Sequence, residues 1–179
     1  MVYTNVAVRN WQPWVKAGVH DIFCVNSFHS RIKLDYPVSI GGYQCSTDPS
    51  QPTVLHLVHV PVVDNERDVR ASLRAARKTF FVKKFEDYEK AVRQDLTRAL
   101  GPAGFDADRD ILGITVNRWS HGYAFAQNSL AEQDEAAEML RAAATKPHGN
   151  ITFANSDSAW SAYAHSAIDE AHRAVQQLQ

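Results

Sequence analysis

Residues 114–124, Ile-Thr-Val-Asn-Arg-Trp-Ser-His-Gly-Tyr-Ala, run from an apolar stretch straight into Trp119, His121 and Tyr123 around Gly122. Flat, partly polar side chains in that position can plug the end of a strand or form a wall against a flat ligand. A second segment, residues 151–163, delivers Asn155, Ser156 and Asp157 from an apolar run to a loop that opens a helix. The orphan N–H groups of a first helical turn favour anionic or electron-rich atoms. The same residues also serve plain N-capping, with Asp157, Ser158 or Ser161 bonding the first turn.

Other chemistry has less support. Eight histidines raise the question of a metal. His56 and His59 stand three apart on a predicted strand, so they point to opposite faces, and no Cys or carboxylate joins them at zinc spacing. No metal site is expected. Cys24 and Cys45 lack a neighbourhood that marks a nucleophile; two cysteines are too few for a disulfide framework, and free thiols are expected. Asp35 and Glu66 are available carboxylates, read as solvated surface groups. No G-x-G-x-x-G and no P-loop pattern occurs, and the Gly41-Gly42-Tyr43 turn follows a strand with no helix opening behind it.

The elements that must hold these residues follow from periodicity. Val6 to Val15 predicts a short helix stopped by Gly18, with Pro13 arguing for a break. Cys24 to His29 reads as a loop or an irregular strand. Ile32, Leu34, Tyr36, Val38 and Ile40 alternate with polar residues as in a half-buried strand, at an edge or bent at Pro37. Thr53 to Val60 predicts its antiparallel partner. From Glu66 to Leu100 the pattern is helical, with Val69, Leu73, Ala76 and Phe80 on one face, then Phe85, Tyr88, Val92, Leu96 and Leu100, stopped by Gly101-Pro102. Ile111 to Trp119 predicts a buried strand with Leu112, Ile114 and Val116 on one face. Glu132 to Ala144 is helical, and Gly149 to Ala154 a short strand. A last helix, beginning near Ser161, carries the apolar stripe Ala164, Ile168, Ala171, Val175 and Leu178, with Ala167 and Ala174 beside it.

The sum is an α+β chain of strands and helices closed by a strand–loop–helix. At 179 residues, with 45% hydrophobic and 22% charged residues, it is long enough to bury a core. A net charge of −1 leaves no basic footprint for nucleic acid. No apolar run approaches the ~20 residues of a membrane span. Met1-Val2-Tyr3-Thr4-Asn5 has no signal-peptide pattern, so the cytoplasm is the expected compartment.

At the two segments above, "ITVNRWSHGYAF" and "GNITFANSDSAWSAYAHSAIDEAHRAV" resemble the C-terminal region of flavin-containing amine oxidoreductases, nearest to the FAD-dependent bacterial spermidine dehydrogenases. "YTNVAVRNW", "RIKLDYPVSIGGY" and "TVLHLVHVP" look like the interior of the same family. The resemblance implies a substrate-domain-like region over 1–145. Over 146–179 it implies a strand and helix returning to an FAD-binding domain, a piece of an incomplete α/β Rossmann-type fold. It implies FAD as cofactor and a small amine, spermidine-like, as substrate. Hydride would pass from the carbon beside the nitrogen to flavin N5, giving an imine that water hydrolyses. Asn155, Ser156 and Asp157 would then sit by the ribityl and pyrophosphate part. Tyr163 and Ala164 would lie near the pyrimidine edge, and Trp119, His121 and Tyr123 would border the ring or the amine.

The family's N-terminal β-α-β unit with its glycine fingerprint has no counterpart in the chain. Wider amine oxidases present Gly-Glu or Gly-Asp where Asn155-Ser156-Asp157 stands. The expectation is therefore a partial enzyme that binds little FAD alone and pairs with a complementary FAD-binding polypeptide. The alternatives are a freestanding binding or assembly module and a remnant without redox activity.

Overall fold

The computed structural model describes residues 1–63, 68–127 and 134–179. The expectations at Glu66, Glu132 and the side chain of Val69 lie outside the described residues. The chain forms two compact units, Met1–His121 and Gly122–Gln179.

The first unit is built on a five-stranded antiparallel sheet. Its strands are β1 (Val2–Val8), β2 (Asp21–Phe23), β3 (Arg31–Leu34), β4 (Thr53–His59) and β5 (Ile111–Arg118), in the order β2-β3-β4-β1-β5. Between them lie α1 (Gln12–Ala17), α2 (Val69–Val82), α3 (Phe85–Leu100), a 3-10 turn (Gly101–Ala103) and α4 (Ala107–Asp110).

Strand β1 corrects the sequence reading, which began a helix at Val6. Val2, Thr4, Val6 and Val8 are buried on one face, while Tyr3, Asn5 and Ala7 are half-buried on the other. A period of two sustained over seven residues outweighs the few helix-compatible spacings farther on. The helix is the shorter α1. Pro13 lies in its first turn, where a missing N–H costs nothing, so Pro13 starts the helix rather than breaking it. Gly18, at φ 68°, takes the left-handed conformation that ends it.

The antiparallel pair β3–β4 forms as expected, Ile32 opposite Leu57 and Lys33 opposite His56. The predicted alternation through Ile40 does not continue as strand. Asp35 makes a last rung, its N–H donating to the Val54 carbonyl at 3.1 Å. Its carboxylate then accepts from the Tyr36 N–H at 2.9 Å, which turns the chain before Pro37. Tyr36, Val38 and Ile40 end up exposed, in a strap over residues 35–46 that closes on itself where Ile40 pairs with Tyr43 across Gly41-Gly42.

The core lies between the sheet and α3. Val6, Val8, Ile32, Leu55 and Leu57 meet Val92, Leu96 and Leu100, with Trp14 of α1 and Phe105 closing the end. Each such side chain, fully buried, contributes about 1.5–3 kcal/mol. Helix α3 was the clearest element in the sequence, and Tyr88, Val92, Leu96 and Leu100 are buried as its spacing requires. Asp87 accepts the N–H of Lys84 at 2.9 Å and closes its first turn. Along α2, Ala76 and Phe80 are buried, but Leu73 is 52% exposed, contrary to expectation.

Strand β5 is an edge strand, and none of its residues is fully buried. Val8 pairs with Ile111 and Ala7 with Gly113, so Leu112 is the extra residue of a bulge. The bulge turns Leu112 out, 51% exposed, and brings Ile111 onto the core face beside Ile114. Period alone placed Leu112 with Ile114 and Val116; a one-residue bulge reverses parity on one side of it.

The second unit holds α5 (Asp134–Ala144), α6 (Ser156–Ala159) and α7 (Ala164–Gln176). The strand expected at 149–154 is absent: His148 and Ile151 form an isolated bridge around a turn with Gly149 at φ 58°. Helix α7 begins at Ala164, later than expected, because α6 and a left-handed Trp160 take up the preceding residues. Its packed side is small and polar: Ser166 and Ala174 are buried, with Glu170 and Arg173 half-buried. The predicted apolar stripe, Ala164, Ile168, Ala171, Val175 and Leu178, is exposed throughout. Among the described residues no helix is long and apolar enough to cross a membrane.

Candidate functional site

Two places bring chemistry-bearing side chains together, one in each unit. In the second unit the corner before α7 is held by side chain–backbone bonds. Asn155 Oδ1 accepts from the N–H of Ser158 at 2.9 Å and from its hydroxyl at 3.0 Å, so Asn155 caps α6. The capping expected from Asp157, Ser158 or Ser161 is thus Asn155's. Asp157 Oδ1 accepts the N–H of Phe125 at 3.1 Å, and the Phe125 ring stands edge-on to Trp160 with centroids 5.0 Å apart. Ser156 is half-buried beside them. Arg173 anchors α7 to this corner, donating to the Phe153 carbonyl at 2.7 Å and the Thr145 carbonyl at 3.2 Å.

Tyr163 occupies the N-cap position of α7, exposed and stacked on His165, and no side chain caps the helix. Ala164, the first helical residue, is exposed too. The outcome is a 13-residue helix whose first turn has no side-chain cap and begins with exposed residues.

Trp119 and His121 belong to the end of the first unit and Tyr123 to the start of the second. Trp119 is fixed by reciprocal main-chain bonds with Met1, both 2.9 Å, which extend the β1–β5 ladder. Its ring is exposed, as is that of Tyr123, and His121 Nδ1 lies 3.2 Å from the Ser120 hydroxyl.

In the first unit the sheet face away from α3 is polar. Lys33, His56, Asn5 and Thr115 lie side by side across four strands. His56 Nδ1 is 3.0 Å from Asn5 Oδ1, and its ring lies tilted over Tyr3. Burial, aided by the Lys33 ammonium, holds the His56 imidazole below its ordinary pKa. His59 points to the other face and donates to the Phe28 carbonyl at 2.6 Å while stacking on the Phe28 ring. Burial lowers its pKa as well, against the pull of that carbonyl. The two histidines thus diverge as the strand spacing requires.

The Lys33 end of this polar row opens into a cavity of about 1030 Å³ between β2, β3 and the strap. Arg31 and Asp21 form a close ion pair in its wall, and the Lys33 ammonium sits 3.7 Å from the Tyr36 ring centroid. That bond holds the Asp21 carboxyl below its usual range. The sequence reading missed this site. Its signal was the Lys33-to-Tyr36 stretch, misread as continuous strand.

Cys24 and Cys45 are free thiols. Burial raises the pKa of Cys24, with Asp95 adding to it, which disfavours the thiolate a nucleophile needs. Among the described residues no group of three or more His, Cys, Asp or Glu is placed to hold a metal ion.

A family model described as flavin containing amine oxidoreductase matches residues 48–179, which takes in β4, α3, β5 and the whole α6–α7 corner. The chain belongs to the flavin-containing amine oxidoreductases. Eight solved chains also match, among them a putrescine oxidase double mutant from a structure-based redesign of cofactor binding. That likeness covers 99% of this chain and 33% of the other, with a TM-score of 0.53 and 17% identity. At such identity it is a likeness of fold: a mixed α/β chain with an antiparallel sheet, like a flavin amine oxidase. The chain spans about one-third of the length of that solved relative. No curated protein matches it significantly.

The family's cofactor is a flavin, and the donor set at α7 suits one end of it. An uncapped helical first turn offers main-chain N–H groups and a positive dipole end to the electron-rich pyrimidine edge of a flavin ring. The rest of a dinucleotide fits less well. Asn155 and Asp157 already spend an oxygen on main-chain N–H groups, and the sequence has no glycine-rich turn to cradle a pyrophosphate.

Proposed function

We propose that this chain supplies the substrate-domain and flavin-edge part of an FAD-dependent amine oxidoreductase that acts on a small polyamine of the spermidine type. Bound flavin supplies the two-electron acceptor for oxidation of the C–N bond. The chain's part is to orient and bury. The α7 N-terminus, with Tyr163 and Ala164, faces the pyrimidine edge; Asn155, Ser156 and Asp157 shape the corner beside it; Trp119, His121 and Tyr123 border the amine. Residues 1–145 form the substrate-domain part, and 146–179 return to the dinucleotide-binding, Rossmann-type part.

The observation that carries this reading is the exposed stripe on α7. Ile168 is 68% and Val175 56% exposed on a helix that turns its small, polar side inward. An amphipathic helix normally buries its apolar side, so the stripe suits packing against polypeptide that brings the glycine fingerprint. The isolated chain then binds FAD weakly or not at all.

Co-expression with a polypeptide carrying that fingerprint, encoded beside it, tests this. The expected complex shows flavin absorbance near ~450 nm that spermidine or putrescine bleaches without oxygen. A complex with flavin that no amine bleaches would refute the amine reading. Tight stoichiometric flavin on the chain alone would refute the division of labour. A second reading, a freestanding binding module, is favoured by one observation: the 1030 Å³ cavity is lined wholly by residues of the first unit.

A further inference from the structure

We propose that the cavity under the 35–46 strap is a binding site for an organic acid with an apolar or aromatic body, its carboxylate seated at Lys33. The inference rests on the first unit alone and does not require the flavin reading.

The walls give the body of the ligand. Trp11, Tyr36, Ile40, Tyr43 and Val54 line a space at the upper end of the volumes that hold small organic molecules, about 300–1,000 Å³. Tyr36, Ile40 and Tyr43 are largely exposed on a strap that could have hidden them by continuing as strand. Large apolar side chains exposed around a cavity are poorly used unless something fills it. The strap's shape is fixed by its own bonds: the Ile40–Tyr43 pairing, and the Ser39 hydroxyl accepting the N–H of Cys45 at 3.1 Å.

The charges give the head group. Four ionised residues lie in the wall: Asp21, Arg31, Lys33 and Asp35. Both oxygens of Asp21 accept from Arg31, so that pair is neutral to a ligand. Asp35 is exposed at the rim and bonds its own strap through the Tyr36 N–H. Lys33 is half-buried on the sheet and has no carboxylate within ion-pair distance among the described residues. Its contact is the face of Tyr36, which attracts the cation without cancelling its charge. With Arg31 neutralised by Asp21, a ligand amine placed at the Tyr36 face would meet the repulsion of Lys33. A carboxylate meets a half-buried cation held against the Tyr36 ring.

The test uses three probes with one body, 4-phenylbutyrate, 4-phenylbutylamine and 4-phenylbutanol, titrated calorimetrically into the full chain at neutral pH. The carboxylate is expected to bind about tenfold or more tighter than the amine, as for a charge-assisted hydrogen bond. Lys33→Met, which keeps the alkyl stem, should remove that preference and leave the alcohol's affinity unchanged; Lys33→Arg should retain most of it. Tyr43→Ala should weaken all three, and matching circular dichroism spectra establish that the variants fold. Amine binding equal to or tighter than the carboxylate's overturns the proposal. So does a carboxylate affinity indifferent to Lys33→Met, or no binding of any probe up to its solubility limit.

Discussion

His29 and Asp95 stand 66 residues apart in the chain, yet one carboxylate oxygen of Asp95 accepts from both the main-chain N–H and the ring Nδ1 of His29, at 2.9 Å each. His29 is fully buried and Asp95 nearly so, and the pair ties the loop before β3 to the middle of α3. Burial by itself would raise the Asp95 pKa, but the two hydrogen bonds from His29 outweigh that and lower it.

Removing the carboxylate strands the His29 N–H and ring inside the core. Asp95→Ala should therefore cost about 3–5 kcal/mol, the range for breaking a buried pair. A shift of the urea midpoint measures it; a loss below 1 kcal/mol would mean that water replaces the carboxylate there.

The pH dependence of stability has two parts of known sign. A carboxylate with a depressed folded pKa contributes stability above its unfolded value, about 3.9, and loses it as pH falls through the folded value. Asp95, Asp110 and Asp21 all act this way, Asp110 mainly through its bonds from Arg109. His56 and His59 have lowered folded values, so the unfolded chain takes up protons first as pH drops below about 6.5. Stability should decline gently below that pH and steeply on the acid side of pH ~4. Denaturant midpoints across this range check both arms, and Asp95→Asn should flatten the acid one.

Two leucines that the sequence places on apolar helix faces should differ sharply. Leu96 is fully buried under the sheet, so Leu96→Ala is expected to cost about 2–5 kcal/mol. Leu73→Ala, on the open side of α2, should stay within about 0.5 kcal/mol of the parent. Equal losses at the two would contradict the facing of α2.

Asn155→Ala should destabilise the α6 corner by about 1 kcal/mol through loss of the cap, and Asn155→Asp should restore most of it. Thermal melts of the three proteins decide this. If the Ala variant were unchanged, Asn155 would be open to a role other than capping.

Ile168→Glu with Val175→Glu places charge on the exposed stripe of α7. The isolated chain should keep its melting temperature, because neither side chain is buried in it. Association with an FAD-binding partner should be lost. A large fall in the melting temperature of the isolated chain would show that the stripe is already used internally.

Much of the framework was legible in the sequence because it follows from local periodicity. Tyr88, Val92, Leu96 and Leu100 marked the buried side of α3, and Gly101-Pro102 its end. The β3–β4 pairing, the divergence of His56 from His59 and the family resemblance at "NRWSHGY" and "ANSD" were equally readable. What periodicity could not supply were events that need a partner strand or a distant atom. The bulge at Leu112 exists only relative to β1, and Asp95 meets His29 only once α3 lies under the sheet. The β3 strand ends after Asp35 donates its last rung to the Val54 carbonyl and its carboxylate turns to the Tyr36 N–H. Tertiary structure alone decided which side of α7 packs, because burial depends on what lies opposite a helix as well as on its own stripe. It also opened the strap over the cavity in which Lys33 meets the Tyr36 ring and, among the described residues, no carboxylate at ion-pair distance.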